Sequence, residues 1–224
     1  MTVPELDVPP YRLSGVVIGC LMNHLPTLAA LGDAAQAAPY KARPKAPVLY
    51  VKPRNTLAGD GAVVEISAAA PEIEIGAALG LVIGRTACRV SENEALSYVA
   101  GGVIVADLSL PHDSYYRPSV RLKARDGFCP LGPIVAPMSN PDALSVRVYV
   151  DDQLVHQTTT GERIRSAALL LSEVSDFMTL SPGDVLMLGV SLGAPRARAG
   201  QSAAVEIDGL GRLNLRFVAE AVLA

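Results

Sequence analysis

From Ile75 to Gly84 the chain runs IGAALGLVIG, ten residues without a charge. The run is about half the length a membrane-spanning helix requires, and its Ile, Leu and Val content suits a buried strand. The wider segment Pro71 to Arg85 reads as a central strand entered through Glu72 and Glu74. Gly15 to Leu21 and Val103 to Asp107 have the same β-branched density. Val48 to Thr56, Ala62 to Ser67, Leu144 to Val150 with its partner from Leu154, and three C-terminal runs from Val185, Ala203 and Leu213 add further strands. Gly and Pro turns separate them.

Helical signals are few. Ile164 to Leu180 has apolar residues at Ile164, Ala167, Ala168, Leu171, Val174 and Met178, the spacing of one helix face. Leu25 to Ala38 is Ala-rich and interrupted by Gly32, and Ser91 to Val99 starts with Ser91 and Glu94 in capping-box spacing. The predicted fold class is α+β and β-dominated, with a mixed β-sheet and a few short helices. Residues 1–224 read as one domain, with 1–60 as an irregular N-terminal portion packed on it.

Composition narrows the function. A net charge of -3 and a pI near 5.6 argue against a nucleic-acid binder, and seven Tyr, three Phe and no Trp form no stacking ladder. Cys20, Cys88 and Cys129 are too few and too scattered for a disulfide scaffold or a zinc site, so reduced thiols are expected. The opening MTVPELDVPPYRL shows no basic region followed by an apolar core. The cytoplasm is the expected compartment, with no membrane partner. No Gly-x-Gly-x-x-Gly or phosphate-loop Lys is present.

The stretch Ala106 to Pro133 carries the most chemistry. It holds Asp107, His112 and Asp113, then Arg117, Arg121, Lys123 and Arg125, and then Asp126. If VRLKARD is extended, Arg121, Lys123 and Arg125 share a face and repel one another unless an anion, acidic partners or water relieve them. An acidic ligand is one reading and a solvated edge strand the other. Lys52 and Arg54 are open in the same way, as a solvated turn or an anion site. Glu72 and Glu74, at i and i+2 on a strand, could chelate Mg2+ or Ca2+ or form a solvated strand start. His156 reads as a half-exposed strand residue.

Several pieces taken together resemble the fumarylacetoacetate hydrolase family. They are Asn23-His24, Val51-Lys-Pro-Arg-Asn-Thr56, LGLVIGR at 79–85, GGVIVADLS at 101–109, Lys123 ahead of Asp126-Gly-Phe-Cys-Pro-Leu-Gly-Pro133, and Leu180-Ser-Pro-Gly-Asp184. They occur in the family's order over nearly the whole chain. Within the family, Ser114 to Gly132 looks most like the isomerase/decarboxylase branch of homoprotocatechuate (4-hydroxyphenylacetate) breakdown. The resemblance implies a β-rich roll and a small acidic 2-oxo acid substrate, a heptenedioate or its tricarboxylic precursor. It also implies a divalent cation such as Mg2+, held by Glu-x-Glu and a later Asp. By that resemblance Asp107 matches the metal-ligand Asp, Lys123 the active-site Lys, and His24 a His of the site that would shuttle a proton. Arg54, Arg117 and Arg121, with Asp126, are the expected substrate-binding residues, the arginines chosen on charge.

The sequence departs from the pattern at the metal. Counting back from Gly84, the two glutamates should fall at Gly76 and Ala78, and Glu72 and Glu74 stand four residues early, about 13 Å along a strand. Thr27 replaces a carboxylate, and Gly189-Val190-Ser191 replaces Gly-Thr-Pro. Two functions follow from the resemblance. One is an isomerase/decarboxylase, and the other is a catalytically silent subunit paired with a metal-binding sister chain. A homodimer or a heteromer with a related subunit is expected.

Overall fold

Alternation along two long strands sets the architecture. The computed structural model describes residues 15–112, 119–135, 138 and 140–221. Strands β1 (Val17–Leu21), β2 (Val48–Lys52), β3 (Leu57–Ala58), β4 (Ala62–Ile66), β5 (Ile73–Ile83), β6 (Val99–Ser109) and β7 (Cys129–Pro130) come first. They are followed by β8 (Ser145–Val150), β9 (Gln153–Thr159), β10 (Val185–Met187), β11 (Arg196–Ala197), β12 (Ser202–Ile207) and β13 (Gly211–Ala219). The α-helices are α1 (Leu25–Leu31), α2 (Glu92–Ala95), α3 (Val120–Lys123) and α4 (Ala167–Phe177). The β-dominated α+β class read from the sequence is borne out.

In the first sheet β6 pairs with one edge of β5, while β10 and β11 pair with the other, and β1 and β2 continue outward from β10. The sheet is mixed, because β1 runs parallel to β10 and antiparallel to β2. The second sheet has the order β4-β13-β12-β8-β9. Residues 1–60, read as irregular, include β1 and β2 of the first sheet within their described part.

Successive residues of β5 and β6 point to opposite faces. Ile75, Ala77, Leu79, Leu81 and Ile83, with Ile104, Ala106 and Leu108, enter the main core. There they meet Val146, Val148, Val205, Leu213, Leu215 and Phe217 of the second sheet, and Leu170, Leu171 and Val174 of α4. The alternate set, Ala78, Val82, Val103 and Val105, faces a smaller cluster with Val17, Val185, Met187, Cys129 and Leu131. Both faces of β5 are thereby covered, which explains its uncharged sequence. Gly76 and Asp107 belong to this second face and are register partners. The functional residues emerge there.

Local signals decide the helix ends and turns. Ser166 caps α4 by accepting a hydrogen bond from the Leu169 amide, so the helix starts later than Ile164. Gly32, at φ +49°, closes α1 at the interruption read from the sequence. Asp151 and Asp152 take the left-handed conformation of a two-residue hairpin turn. Gly101 and Gly102 lie inside β6, where the Val135 backbone packs on Gly101 too closely for a Cβ. Among the described residues no helix is long and apolar enough to cross a membrane.

Leu79 is fully buried between the sheets. Leu79→Ala is expected to cost about 2–5 kcal/mol by the cavity it leaves, measured by urea unfolding. A change within about 0.5 kcal/mol would contradict the assigned core.

Candidate functional site

The site is built around a buried carboxylate. Asp107 leaves β6 on its second face and is 1% exposed. Lys123 Nζ donates to Oδ2 at 2.7 Å, and the Tyr50 hydroxyl donates to the same oxygen at 2.5 Å. Lys52 Nζ lies 2.8 Å from Oδ1. Its own hydrogen bonds go to the carbonyls of Leu108 (2.8 Å), Lys123 (2.8 Å) and Phe128 (2.9 Å). No hydrogen bond reaches Oδ1, and the attraction there is one of charge.

Each partner reaches Asp107 for a local reason. Tyr50 and Lys52 share a face of β2 by strand alternation. The Tyr50 ring fits because its cross-strand neighbour is Gly19, where a Cβ would lie 2.1 Å from Cζ of the ring. Lys123 arrives on α3, a single turn in which the Lys123 amide bonds to Ser119 O at 2.9 Å. The Leu110 amide donates to Leu122 O at 3.0 Å, which docks α3 on the end of β6. Lys52, by holding the Lys123 carbonyl, fixes the backbone from which Lys123 projects.

Burial alone would raise the Asp107 carboxyl, but the Lys123 and Lys52 ammonium groups override it and hold it well below the usual carboxylate range. Burial, reinforced by Asp107, pushes the Tyr50 hydroxyl well above its ordinary value, so it remains a donor. Burial pulls Lys52 down, against the pull of Asp107.

Asp107 and Lys123 lie in a cleft of about 250 Å³ whose lining also includes Tyr50, Glu74, Gly76, Ser109, His112 and Arg196. His112 Nδ1 lies 2.9 Å from Leu110 O, a carbonyl that accepts, so Nδ1 carries a proton. Cys20 also lines the cleft, and burial pushes its thiol up to about 11, which keeps it neutral. All three cysteines are free, as expected. Met22, at φ +56°, is a non-glycine residue in the left-handed region on the cleft wall.

The structure distributes the sequence-derived residues unevenly. Lys123 and Asp107 meet in the cleft. His24 is buried at the head of α1 and is absent from the cleft lining. Its Nδ1 accepts from the Leu192 amide at 3.1 Å and lies 3.1 Å from Thr27 Oγ1, while Nε2 lies 3.6 Å from Glu162. His24 thus supports the wall loop Val190 to Ala194 from behind, and His156 Nε2 holds Ser191 Oγ of that loop at 2.8 Å. Arg54 and Arg121 are exposed and outside the lining. VRLKARD is not extended: α3 turns Lys123 inward and Arg121 out. Asp126 is exposed and accepts from Asn55 Nδ2 at 2.7 Å. Arg117 lies outside the described residues.

Sequence reasoning missed Tyr50 and the inward role of Lys52, and it gave His112 no role. The available signal was period two in Leu49-Tyr-Val-Lys52, which sets a phenol and an ammonium on one face of a strand.

The residues present do not fit a divalent cation. Gly76 and Ala78 offer no ligand, and a Cβ at Gly76 would meet the Asp107 carbonyl oxygen at 2.7 Å. Asp107 already faces two ammonium groups and a phenol. Among the described residues no three His, Cys, Asp or Glu side chains gather to hold a metal. Glu74 is the one other carboxylate on the cleft lining among the described residues, and its counter-ion there is Arg196 at 3.1 Å.

The family model described as fumarylacetoacetate (FAA) hydrolase C-terminal matches residues 16–218, and the chain belongs to this family. Among its relatives is the 4-hydroxyphenylacetate degradation bifunctional isomerase/decarboxylase of Escherichia coli, 37% identical over 208 residues, covering 93% of this chain and 48% of that protein. The chain therefore spans about half the length of the curated relatives it matches. A solved 5-carboxymethyl-2-hydroxymuconate delta-isomerase from Mycobacterium smegmatis superposes with TM-score 0.78 at 25% identity, covering 93% of this chain and 80% of that one. A fumarylpyruvate hydrolase from Pseudomonas aeruginosa, solved with Mn2+ and pyruvate, has the same fold at TM-score 0.75 and 23% identity, covering 92% of this chain and 89% of that one.

Asp107→Asn is expected to destabilise the protein by about 3–5 kcal/mol at pH 7, because two buried ammonium groups lose their counter-charge. The Asp107 carboxyl is depressed in the folded state, so its stabilisation is complete above the unfolded value of about 3.9 and is lost as pH falls toward the folded value. The stability gap between wild type and variant should close below about pH 4 in denaturant titrations. A gap that does not change with pH would contradict the assignment.

Proposed function

We propose that this domain is an isomerase/decarboxylase acting on 2-hydroxyhepta-2,4-dienedioate, its 2-oxo tautomer or their tricarboxylic precursor in 4-hydroxyphenylacetate catabolism. The observation that carries this reading is the Lys123 ammonium, held by Asp107 on the lining of the cleft. Its support comes from the activities named for the isomerase/decarboxylase and the delta-isomerase above.

Both reactions pass through an enolate. In the isomerisation the 2-hydroxyl loses its proton, the double bonds shift along the chain, and a carbon at the far end of the conjugated system gains a proton. In the decarboxylation the carbon–carboxylate bond breaks and its electron pair enters the same conjugated system. In either case negative charge collects on the 2-oxygen, where a fixed ammonium stabilises it. Lys123 has that role in our reading, with Asp107 and Lys52 as positioning residues. His112, beside Ser109 on the cleft lining, is our candidate to carry the proton. His24 is assigned the wall loop instead.

The donor-poor positions Gly76 and Ala78 favour a second reading, a silent subunit paired with a metal-binding sister chain. Assembly as a homodimer or as a heteromer with a related subunit is compatible with both.

Turnover of the 2-hydroxydienoate, followed by loss of the conjugated dienol absorbance, separates the two. The expected result is measurable turnover by the purified chain that Lys123→Ala lowers by at least about 10²-fold. If wild type and variant are both inert, the catalytic reading fails and the silent subunit stands.

A further inference from the structure

The cleft has a second charged station. Arg196 on β11 is the register partner of Glu74 on β5, and Glu74 is in turn opposite Ser109 on β6. Two residues along β5, Gly76 is opposite Asp107. Cross-strand neighbours project to the same face, and all five residues line the cleft. With strands about 4.8 Å apart and about 3.3 Å per residue, the Cα atoms of Arg196 and Asp107 are roughly 12 Å apart. The cleft that Arg196 and Lys123 both line has a volume of about 250 Å³, room for a chain of several carbons.

Arg196 is the only guanidinium on the lining among the described residues. It is held loosely: Nη2 meets Glu74 Oε1 at 3.1 Å, and Nη1 meets Glu72 Oε2 at 3.3 Å. Neither carboxylate is gripped by both arms of the guanidinium fork, and the Arg196 side chain is 49% exposed. Glu72 does not depend on it, because Arg198 donates to Glu72 through Nε at 3.0 Å and Nη2 at 2.6 Å. Ion pairs this exposed contribute little to stability, so a ligand carboxylate that engages the fork with two parallel bonds displaces Glu74 at small cost.

We propose that Arg196 binds the distal carboxylate of a dicarboxylic substrate whose 2-oxo end lies at Lys123, and that Glu74 is the resting counter-ion it exchanges. Arg196 thereby selects dicarboxylates over monocarboxylates. The assignment rests on the substrate class proposed above and adds the residue that reads its length and charge.

Calorimetry with heptanedioate and hexanoate, which differ by one terminal carboxylate, tests binding apart from turnover. Wild type should bind heptanedioate more tightly than hexanoate. Arg196→Gln should weaken heptanedioate by about tenfold or more and leave hexanoate unchanged, whereas Glu74→Gln should tighten heptanedioate. In turnover of the dienedioate, Arg196→Gln should raise KM and leave kcat within about twofold, the mark of lost uniform binding. Equal heptanedioate affinity in wild type and Arg196→Gln would overturn the proposal, as would a wild type that binds no dicarboxylate. A wild type that binds heptanedioate through Arg196 yet turns over no dienedioate would sink the enzymatic reading and leave the subsite standing.

Discussion

The attraction between one buried carboxylate and two buried ammonium groups is the constraint around which this molecule is arranged. Asp107 comes from β6, Lys52 from β2 and Lys123 from α3, so three separate parts of the chain meet in one charge cluster. Isolated burial of any of the three would be costly. Together they offset much of that cost, and the phenol of Tyr50 bonds Asp107 Oδ2 while three backbone carbonyls accept from Lys52. The cluster retains one net positive charge beside the cleft, which suits a ligand that is an acid.

The sheet makes this cluster possible by dividing its two faces. On one face β5 and β6 supply an unbroken apolar surface to the main core, and stability comes from there. On the other, apolar packing stops toward the Gly76–Asp107 end, where small and charged residues replace Val and Leu. Gly19 and Gly76 both lie on this face, and each permits an approach that a side chain would block: the Tyr50 ring at one, the Asp107 backbone at the other. The second station, Arg196 with Glu74, sits one register step outward on the same surface. Rigid strands thus set the separation between the two charged ends of the cleft.

Much of the fold was legible in the sequence because its signals are local. Alternation and β-branching mark β5, β6, β8 and β13, and Gly32 and the Asp151-Asp152 pair act within a few residues of themselves. The family was legible because its motifs lie in order along the chain. The site was only partly so. Lys123 and Asp107 were found through the motif, but charge alone also drew attention to Arg54 and Arg121, which solvent takes. The reason is that VRLKARD carries no periodic apolar signal, so nothing local distinguishes a strand from the single turn that sends Lys123 inward. Lys52 was hidden for the opposite reason. A lysine before a proline at a strand end looks like a solvated turn, and its burial depends on carbonyls 56 to 76 residues away in the chain. Arg196 likewise gains its meaning only from pairing with β5.

The central claim is that lysines, and not a divalent cation, are the counter-charge of Asp107. Titrating the purified chain into Mn2+ and following the electron paramagnetic resonance of the free ion tests it directly. The account predicts that the free-ion signal persists at protein concentrations in excess of the metal. Loss of that signal in proportion to added protein, reversed by Asp107→Ala, would contradict it.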